Sequence, residues 1–167
     1  MKQAHVEVLK VLPLLAPVDI GGTATGSSYI DLDQCVGLVE FEVAFGAITS
    51  TDSTGNLTVT LQGSTGGIST DTNTAVAFQY ALSAAVNTDS MGAITAATSS
   101  GVTLQSSSDD NRSLFAYLDP AVLTAGVTDG RYARVYLTPT TDCSAILASV
   151  VARYTPRYSQ ASQPSST

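Results

Sequence analysis

The sequence of 167 residues has no tryptophan, one histidine, two cysteines and only 13% charged residues. Seven residues are lysine or arginine and fourteen are aspartate or glutamate, so the formal net charge is −7 at pH 7. Contacts with nucleic-acid phosphates need clustered basic side chains, whereas these are few and scattered. We therefore expect no direct nucleic-acid binding, and an acidic surface that favours solubility.

The shortage of histidine also argues against catalysis. His5, the single histidine, lies in an apolar N-terminal segment, which is a poor place for a general base that needs fixed geometry. Glu40 and Glu42 are about 7 Å apart on a strand that rises about 3.3 Å per residue, but any i, i+2 pair has that spacing. We predict that the protein is not an enzyme, with no catalytic, cofactor-binding or metal-binding residues.

Long apolar runs and cysteine motifs are absent as well. No run reaches the 18 or so apolar residues of a membrane span, and Glu7 and Lys10 interrupt the apolar N-terminus, so we expect neither a membrane contact nor a signal peptide. Cys35 and Cys143 lack CxxC or Cys/His spacing. We expect two buried free thiols in preference to a bridge, although sequence does not exclude a disulfide.

Period-two alternation of apolar and polar residues is the dominant pattern that is present. It is clearest in one run whose apolar members are Val39, Phe41, Val43 and Phe45. About eight or nine such runs are separated by turns rich in glycine, serine and asparagine. This predicts an all-β antiparallel sandwich, with the jelly roll as one arrangement. At most one short helical turn is expected, at Pro120 to Thr124 with Asp119 as its N-cap.

The two ends of the chain differ from its middle. Residues 1–18 are apolar but contain Pro13 and Pro17, which is typical of an extended arm or an edge strand. Residues 19–158 form the predicted sandwich domain. Residues 159–167 are rich in serine, glutamine and proline, which predicts a disordered tail.

Two motifs could suggest ligand chemistry. The run Asp19-Ile20-Gly21-Gly22-Thr23 is similar to the phosphate-binding turn of sugar kinases, but the strand–helix alternation of such enzymes is missing, so we interpret it as a turn after the N-terminal segment. Asp31 with Asp33, and the run Asp109-Asp110-Asn111, are rich in oxygen. Neither group alone supplies the six to eight oxygens that calcium requires, so we expect a solvent-facing strand and a loop respectively.

Read end to end, the chain resembles a family of small structural proteins encoded near the capsid gene of tailed bacteriophages. The resemblance rests on short phrases spread along the sequence: Leu12 to Gly22, Tyr29 to Asp33, Val39 to Ser50, Met91 to Thr95 and Gly130 to Val135. It implies a head decoration or cement protein, located on the virion surface. It also implies the major capsid protein as partner and a homo-oligomer, either trimer or dimer.

The apolar N-terminal segment is the candidate contact for such a partner. An extended segment can add main-chain hydrogen bonds to a neighbouring sheet, and its candidate anchors are Val6, Val8, Val11 and Leu12. The rival interpretation makes the same segment the first strand of its own sheet. Two other functions stay open, a glycan-binding module of a tail or fibre and a small jelly-roll hydrolase.

Overall fold

Strands dominate the structure, a computed structural model that describes residues 9–51, 54–68, 70–84, 90–106 and 108–157. The one α-helix of this part is α1 (Pro120–Gly126), and a 3-10 turn spans Leu32–Gln34. The strands are β1 (Lys10–Asp19), β2 (Thr25–Gly26), β3 (Ile30–Asp31), β4 (Cys35–Phe45), β5 (Thr49–Ser50), β6 (Asn56–Ser64), β7 (Thr74–Val76), β8 (Phe78–Leu82), β9 (Thr95–Ala97), β10 (Val102–Gln105), β11 (Ser113–Leu118), β12 (Tyr132–Pro139), β13 (Cys143–Ala145) and β14 (Leu147–Pro156).

The strands form two main antiparallel sheets and a small two-stranded sheet of β5 and β13. The first has the order β1-β14-β4-β11-β8-β9, and the second has the order β10-β6-β12-β2, with β3 paired to β12 and β7 paired to β6. Counting β2 and β3 together, the eight principal strands follow the orders 1-8-3-6 and 2-7-4-5. This is the strand order of a jelly roll, to which β5, β7, β8, β9 and β13 are additions. The predicted all-β antiparallel sandwich is confirmed.

One hydrophobic core fills the space between the sheets. In β4, Val39, Phe41, Val43 and Phe45 are buried as the alternation predicts, while Glu40 and Glu42 between them stay partly exposed. Buried residues of β6, β12 and β14 join the same cluster. Each large apolar side chain buried here stabilises the fold by about 1.5–3 kcal/mol, so the two sheets hold one another without a disulfide.

The predicted helical turn is confirmed at Pro120. The Asp119 carboxylate accepts a hydrogen bond from the backbone N–H of Ala121, 2.9 Å away, and Pro120 occupies the start of α1. Proline suits this position because the first helical N–H groups have no partner within the helix. The helix lies against β7 and β4, and it therefore forms one wall of the groove described below.

Two details of the sequence interpretation are wrong. In the sequence, Val76, Phe78, Tyr80 and Leu82 alternate as a single strand would, but Val76 pairs with Leu61 on β6 in the second sheet, and Phe78 pairs with Ala97 on β9 in the first. Both side chains still enter the core, so alternation does not show the change of sheet between them. Fragments of this kind raise the number of strands to fourteen among the described residues, above the eight or nine expected.

Residues 10–19 of the N-terminal segment form the edge strand β1. Lys10 lies opposite Tyr154 and Leu12 opposite Ala152 on β14. The register shifts after Pro13 and again after Leu15, so β1 follows its partner irregularly. Residues 159–167 of the predicted tail lie outside the described part. No helix among the described residues has the length and apolar character of a membrane span.

Candidate protein-contact surfaces

An apolar strip lies on the outer face of the first sheet, beside its β1 edge. Alternation turns Leu12 and Ala152 towards the core, so their neighbours Val11, Pro13 and Val151 face outwards. Leu147 continues the strip at the start of β14. Val11 is 45% exposed and Leu147 is 57% exposed. Val11, Pro13, Leu147 and Val151 are called the β1 strip.

A charged cluster borders the β1 strip on the same face. Arg153, opposite Val11, donates hydrogen bonds to Glu40 at 2.7 Å and to Glu42. The hydrogen bond to Glu40 raises the pKa of Arg153, although burial opposes this. The guanidinium also lies 5.8 Å from the centre of the Phe115 ring. Two carboxylates facing one guanidinium leave the cluster with a formal charge of −1, so the strip is flanked by negative charge.

An apolar groove opens at the opposite edge of the first sheet. It lies between β8, β9 and α1, has a volume of about 320 Å³, and adjoins a shallower hollow of about 670 Å³. Leu38 on β4 forms one rim and is 57% exposed, and Val122 on α1 forms the other. Ala77, Ala96 and Ala97 line both spaces. These small side chains keep the space open, and it is called the β9 groove.

The two edges of the first sheet differ in what they offer to an added strand. β1 contains Pro13 and Pro17, and proline lacks the N–H group that a ladder of hydrogen bonds requires. β9 consists of Thr95, Ala96 and Ala97, and within the described residues it pairs with β8 alone. Its outer main-chain groups are an open template for pairing. Strand addition is therefore better supported at β9 than at β1.

The four residues predicted as partner contacts lie in different settings. Val6 and Val8 are outside the described residues. Val11 belongs to the exposed β1 strip, whereas Leu12 is buried in the core of its own domain. Leu12 therefore supports the first sheet from within, and Val11 is the described member of the set that presents its side chain to solvent. A role of the four in binding a partner stays a prediction.

Tyrosines on the outer face of the second sheet bear on glycan binding. The Arg134 guanidinium lies 4.9 Å from the centre of the Tyr29 ring and 5.2 Å from that of Tyr136, and its Nε donates to Gln62. Arg131 lies in the same way 5.1 Å from the Tyr132 ring. Stacking on a sugar needs a bare ring face, and an arginine covers one face of each of these three rings.

The acidic groups make structural contacts. Arg131 donates from Nη2 to Asp31 at 2.5 Å and lies 3.2 Å from Asp33. Burial alone would raise the pKa of Asp31, but hydrogen bonds from Arg131 and from the Asp33 backbone lower it. Asp31 also caps the 3-10 turn, so Asp33 faces solvent as expected but lies on a turn, and the expected strand there is wrong. Asp110 accepts from the Ile48 backbone at 2.8 Å. No cluster of metal-ligating residues occurs within the described ranges.

The glycine-rich motif is a turn, as interpreted from the sequence. Asp19 Oδ1 accepts from the backbone N–H of Gly21 and of Ile146, both at 2.9 Å. The Ile146 bond, followed by the Gly21 bond, lowers the pKa of Asp19. A side chain at Gly21 would collide with the backbone of Ser144. Glycine is therefore required here by chain packing, and the Asp19 carboxylate is used to join this turn to the start of β14.

The two cysteines are buried thiols, and Cys35 is a weak nucleophile at neutral pH. Cys35 and Cys143 are free and buried, as predicted. Burial, with a smaller effect of the Asp31 charge, raises the pKa of Cys35 to about 12. A thiol with so high a pKa stays protonated and is a weak nucleophile. His5 lies outside the described residues.

Sequence reasoning missed the β9 groove. Leu38 precedes the regular alternation of β4, Ala96 belongs to a strand of three residues, and Val122 lies on a single short helix. Each looks unremarkable alone, because the groove exists only after β8 and β9 are added to the first sheet. The one usable signal was the alanine at Ala77, just before β8, and at Ala96 and Ala97 in β9, because small side chains leave room beside a sheet.

Comparison with known proteins provides no family. No family model and no curated protein matches the sequence. Among solved structures, the chain is similar to one from "Structure of infectious bursal disease virus Gt strain", with 12% identity and a TM-score of 0.23. The match covers 95% of this chain and 43% of the viral chain, so this chain spans less than half the length of the viral chain. A TM-score this low carries no argument about shared fold or function.

Proposed function

We propose that the chain is a structural virion protein that binds the outside of a phage capsid and stabilises contacts between capsomers. The phrases Leu12 to Gly22 and Tyr29 to Asp33, which resemble phage structural proteins, support the capsid as partner. Fold alone does not define function, since jelly rolls occur in capsid proteins, lectins and enzymes alike. The proposal therefore depends on a surface suited to protein contact.

The exposed β1 strip is the observation that carries the proposal. Apolar side chains grouped on one exposed face are typical of interaction sites. Here Val11 and Leu147 lie on the outer face of a sheet whose inner face packs in the hydrophobic core. A rigid surface loses little conformational entropy on binding, so less of the gain from apolar burial is spent on ordering side chains.

The acidic cluster defines what the capsid side should offer. Glu40 and Glu42 outnumber Arg153 beside the strip, and the whole chain has a net charge of −7. A partner surface with apolar residues and a neighbouring lysine or arginine would complement both features. Such complementarity mainly accelerates association and weakens with salt. We expect the association rate to fall as ionic strength rises.

Copy number on purified particles tests the location. A cement protein should be present in several hundred copies, and electron microscopy should place it where capsomers meet. A few copies, or a position on the tail, would refute the proposal and favour the glycan-binding alternative. Glycan or ester hydrolysis that is abolished by one carboxylate substitution would favour the hydrolase.

A pair of variants tests the β1 strip. Leu147→Asp introduces a charge into the strip and should lower capsid affinity at least tenfold. Ile68→Asp is the matched control, because Ile68 is 53% exposed against 57% for Leu147 and belongs to the loop after β6, outside the first sheet. It should bind capsids as the wild type does. Equal binding by both variants would show that the strip is not the contact.

A further inference from the structure

We propose that residues 1–8 of one copy add as an extra strand to β9 of a second copy, placing their apolar side chains in the β9 groove. This inference concerns self-assembly and does not depend on capsid binding. It names the partner of the β9 edge as this chain itself, and it assigns the acceptor site to Leu38, Ala96 and Val122.

The acceptor combines an open sheet edge with an apolar groove. Thr95 to Ala97 pair with β8 on one side, and the described residues place no strand on the other. Ala96 and Ala97 line the part of the groove next to this edge, Val122 on α1 lines its wall, and Leu38 on β4 lines its inner end. An extended segment there would gain main-chain hydrogen bonds from β9 and apolar contacts from the groove, the two components of strand addition.

Residues 1–8 have the sequence that such an acceptor requires. Ala4, Val6 and Val8 alternate with His5 and Glu7, so an extended conformation places three apolar side chains on one face. Their small and β-branched side chains suit a groove lined by alanine. The polar residues 159–167 at the other end of the chain have no such alternation, so the N-terminal segment is the better occupant.

Distance makes a second copy the source of this strand. Residues 1–8 join the sheet at β1, and β9 lies five strand spacings away. With about 4.8 Å between neighbouring strands, that separation is roughly 24 Å. Eight extended residues span only about 26 Å at 3.3 Å each. If residues 1–8 extended to β9 of the same copy, almost their whole length would be needed to cover the distance, and no residues would remain to pair with β9. The β9 strand of a neighbouring copy can lie next to the segment.

The resulting assembly has a defined form. Donor and acceptor are different surfaces, so head-to-tail exchange closes a trimer or a larger ring, and reciprocal exchange closes a dimer. The molar mass of the oligomer distinguishes the dimer from the trimer or larger ring. In both forms every copy donates one segment and accepts one segment, so disabling either part should disrupt the whole assembly.

Molar mass from light scattering on a sizing column tests the proposal. The wild type should be oligomeric at tens of micromolar, whereas deletion of residues 2–8 should give a monomer with an unchanged circular dichroism spectrum. Ala96→Glu and Leu38→Asp, on the acceptor side, should also give monomers. Leu147→Asp is the matched control for Leu38→Asp, because both leucines are 57% exposed on the first sheet. It should remain oligomeric.

A mixing experiment then tests donor and acceptor together. The copy that lacks residues 2–8 keeps its acceptor, and the Ala96→Glu copy keeps its donor segment. Mixed in equal amounts, the two monomers should form a one-to-one complex and nothing larger. A monomeric wild type, an oligomer that survives the deletion, or a mixture that stays monomeric would each overturn the proposal.

Variants within the segment test its apolar face. Val6→Asp with Val8→Asp should weaken self-association at least tenfold. Gln3→Asp with His5→Asp adds the same number of carboxylates to the opposite face and should leave self-association within about twofold of the wild type. Equal effects of the two pairs would show that charge, and not the apolar face, governs the association, and would overturn the assignment.

Discussion

A buried hydroxyl on β14 allows a direct test of the packing of the first sheet. Tyr154 is 1% exposed, and its hydroxyl has no hydrogen-bond partner among the described residues. Burying a hydroxyl without a partner costs about 1–3 kcal/mol. Tyr154→Phe removes the oxygen and keeps the ring, so the free energy of unfolding should rise by about 1 kcal/mol. For a domain of this size that corresponds to an increase in melting temperature of roughly 2–4 °C.

Alkaline pH makes the test more specific. Burial, followed by the charge of Cys35, raises the pKa of Tyr154 to about 12, whereas an unfolded tyrosine ionises near pH 10. The unfolded state therefore loses the proton first, so the free energy of unfolding of the wild type is unaffected below about pH 10 and falls as the pH rises towards about 12. The phenylalanine variant has no hydroxyl to ionise and does not lose stability in this way. Its advantage over the wild type should widen above about pH 10.

Urea denaturation followed by circular dichroism measures both effects. Tyr117→Phe is the control, because Tyr117 lies on the outer face of β11. Removal of its hydroxyl should change the free energy of unfolding by less than about 0.5 kcal/mol. If Tyr154→Phe instead destabilises the protein by more than about 1 kcal/mol, the hydroxyl has a partner that stabilises it. That result would refute the reasoning.

Three further predictions follow from other contacts. Cys35 and Cys143 are buried free thiols, so a chromogenic thiol reagent should detect neither in the native protein and both in denaturant. Asp119→Ala removes the N-cap of α1 and should lower the free energy of unfolding by about 1 kcal/mol in urea. The lowered pKa of Asp31 means that its carboxylate stabilises the fold above about pH 4 and ceases to do so as the pH falls through the folded value. Asp31→Asn should therefore cost about 1 kcal/mol near pH 7, and the difference should vanish in acid.

Local patterns in the sequence were sufficient for much of the fold. The alternation in β4 assigned Phe41 to the core and Glu40 to the outer face because a strand has two faces and one is buried. Asp119 before Pro120 located α1 because capping chemistry is local. The free state of Cys35 followed from the absence of a paired cysteine motif.

Features that depend on distant pairing were not predictable in this way. The change of sheet between Val76 and Phe78 leaves alternation intact, because both sheets face one core. Asp31 lies on a strand as expected, but its ion pair with Arg131 was not visible because the two residues are 100 positions apart. The β9 groove combines Leu38, Ala96 and Val122 from three separate elements, and no short segment contains its pattern.

The two proposed contacts occupy opposite edges of the first sheet, and this makes them separable. Leu147 in the β1 strip and Leu38 beside the β9 groove are equally exposed leucines on strands that pair directly, β14 and β4. A loss of rigidity in the sheet would affect both contacts, whereas a local charge should affect one. Leu38→Asp should lower capsid affinity only as far as the loss of oligomers reduces multivalent binding. Leu147→Asp should lower capsid affinity in the monomer as well. These two results together would show that the β1 strip is the capsid contact and that the β9 groove joins copies. The opposite pattern would exchange the two assignments.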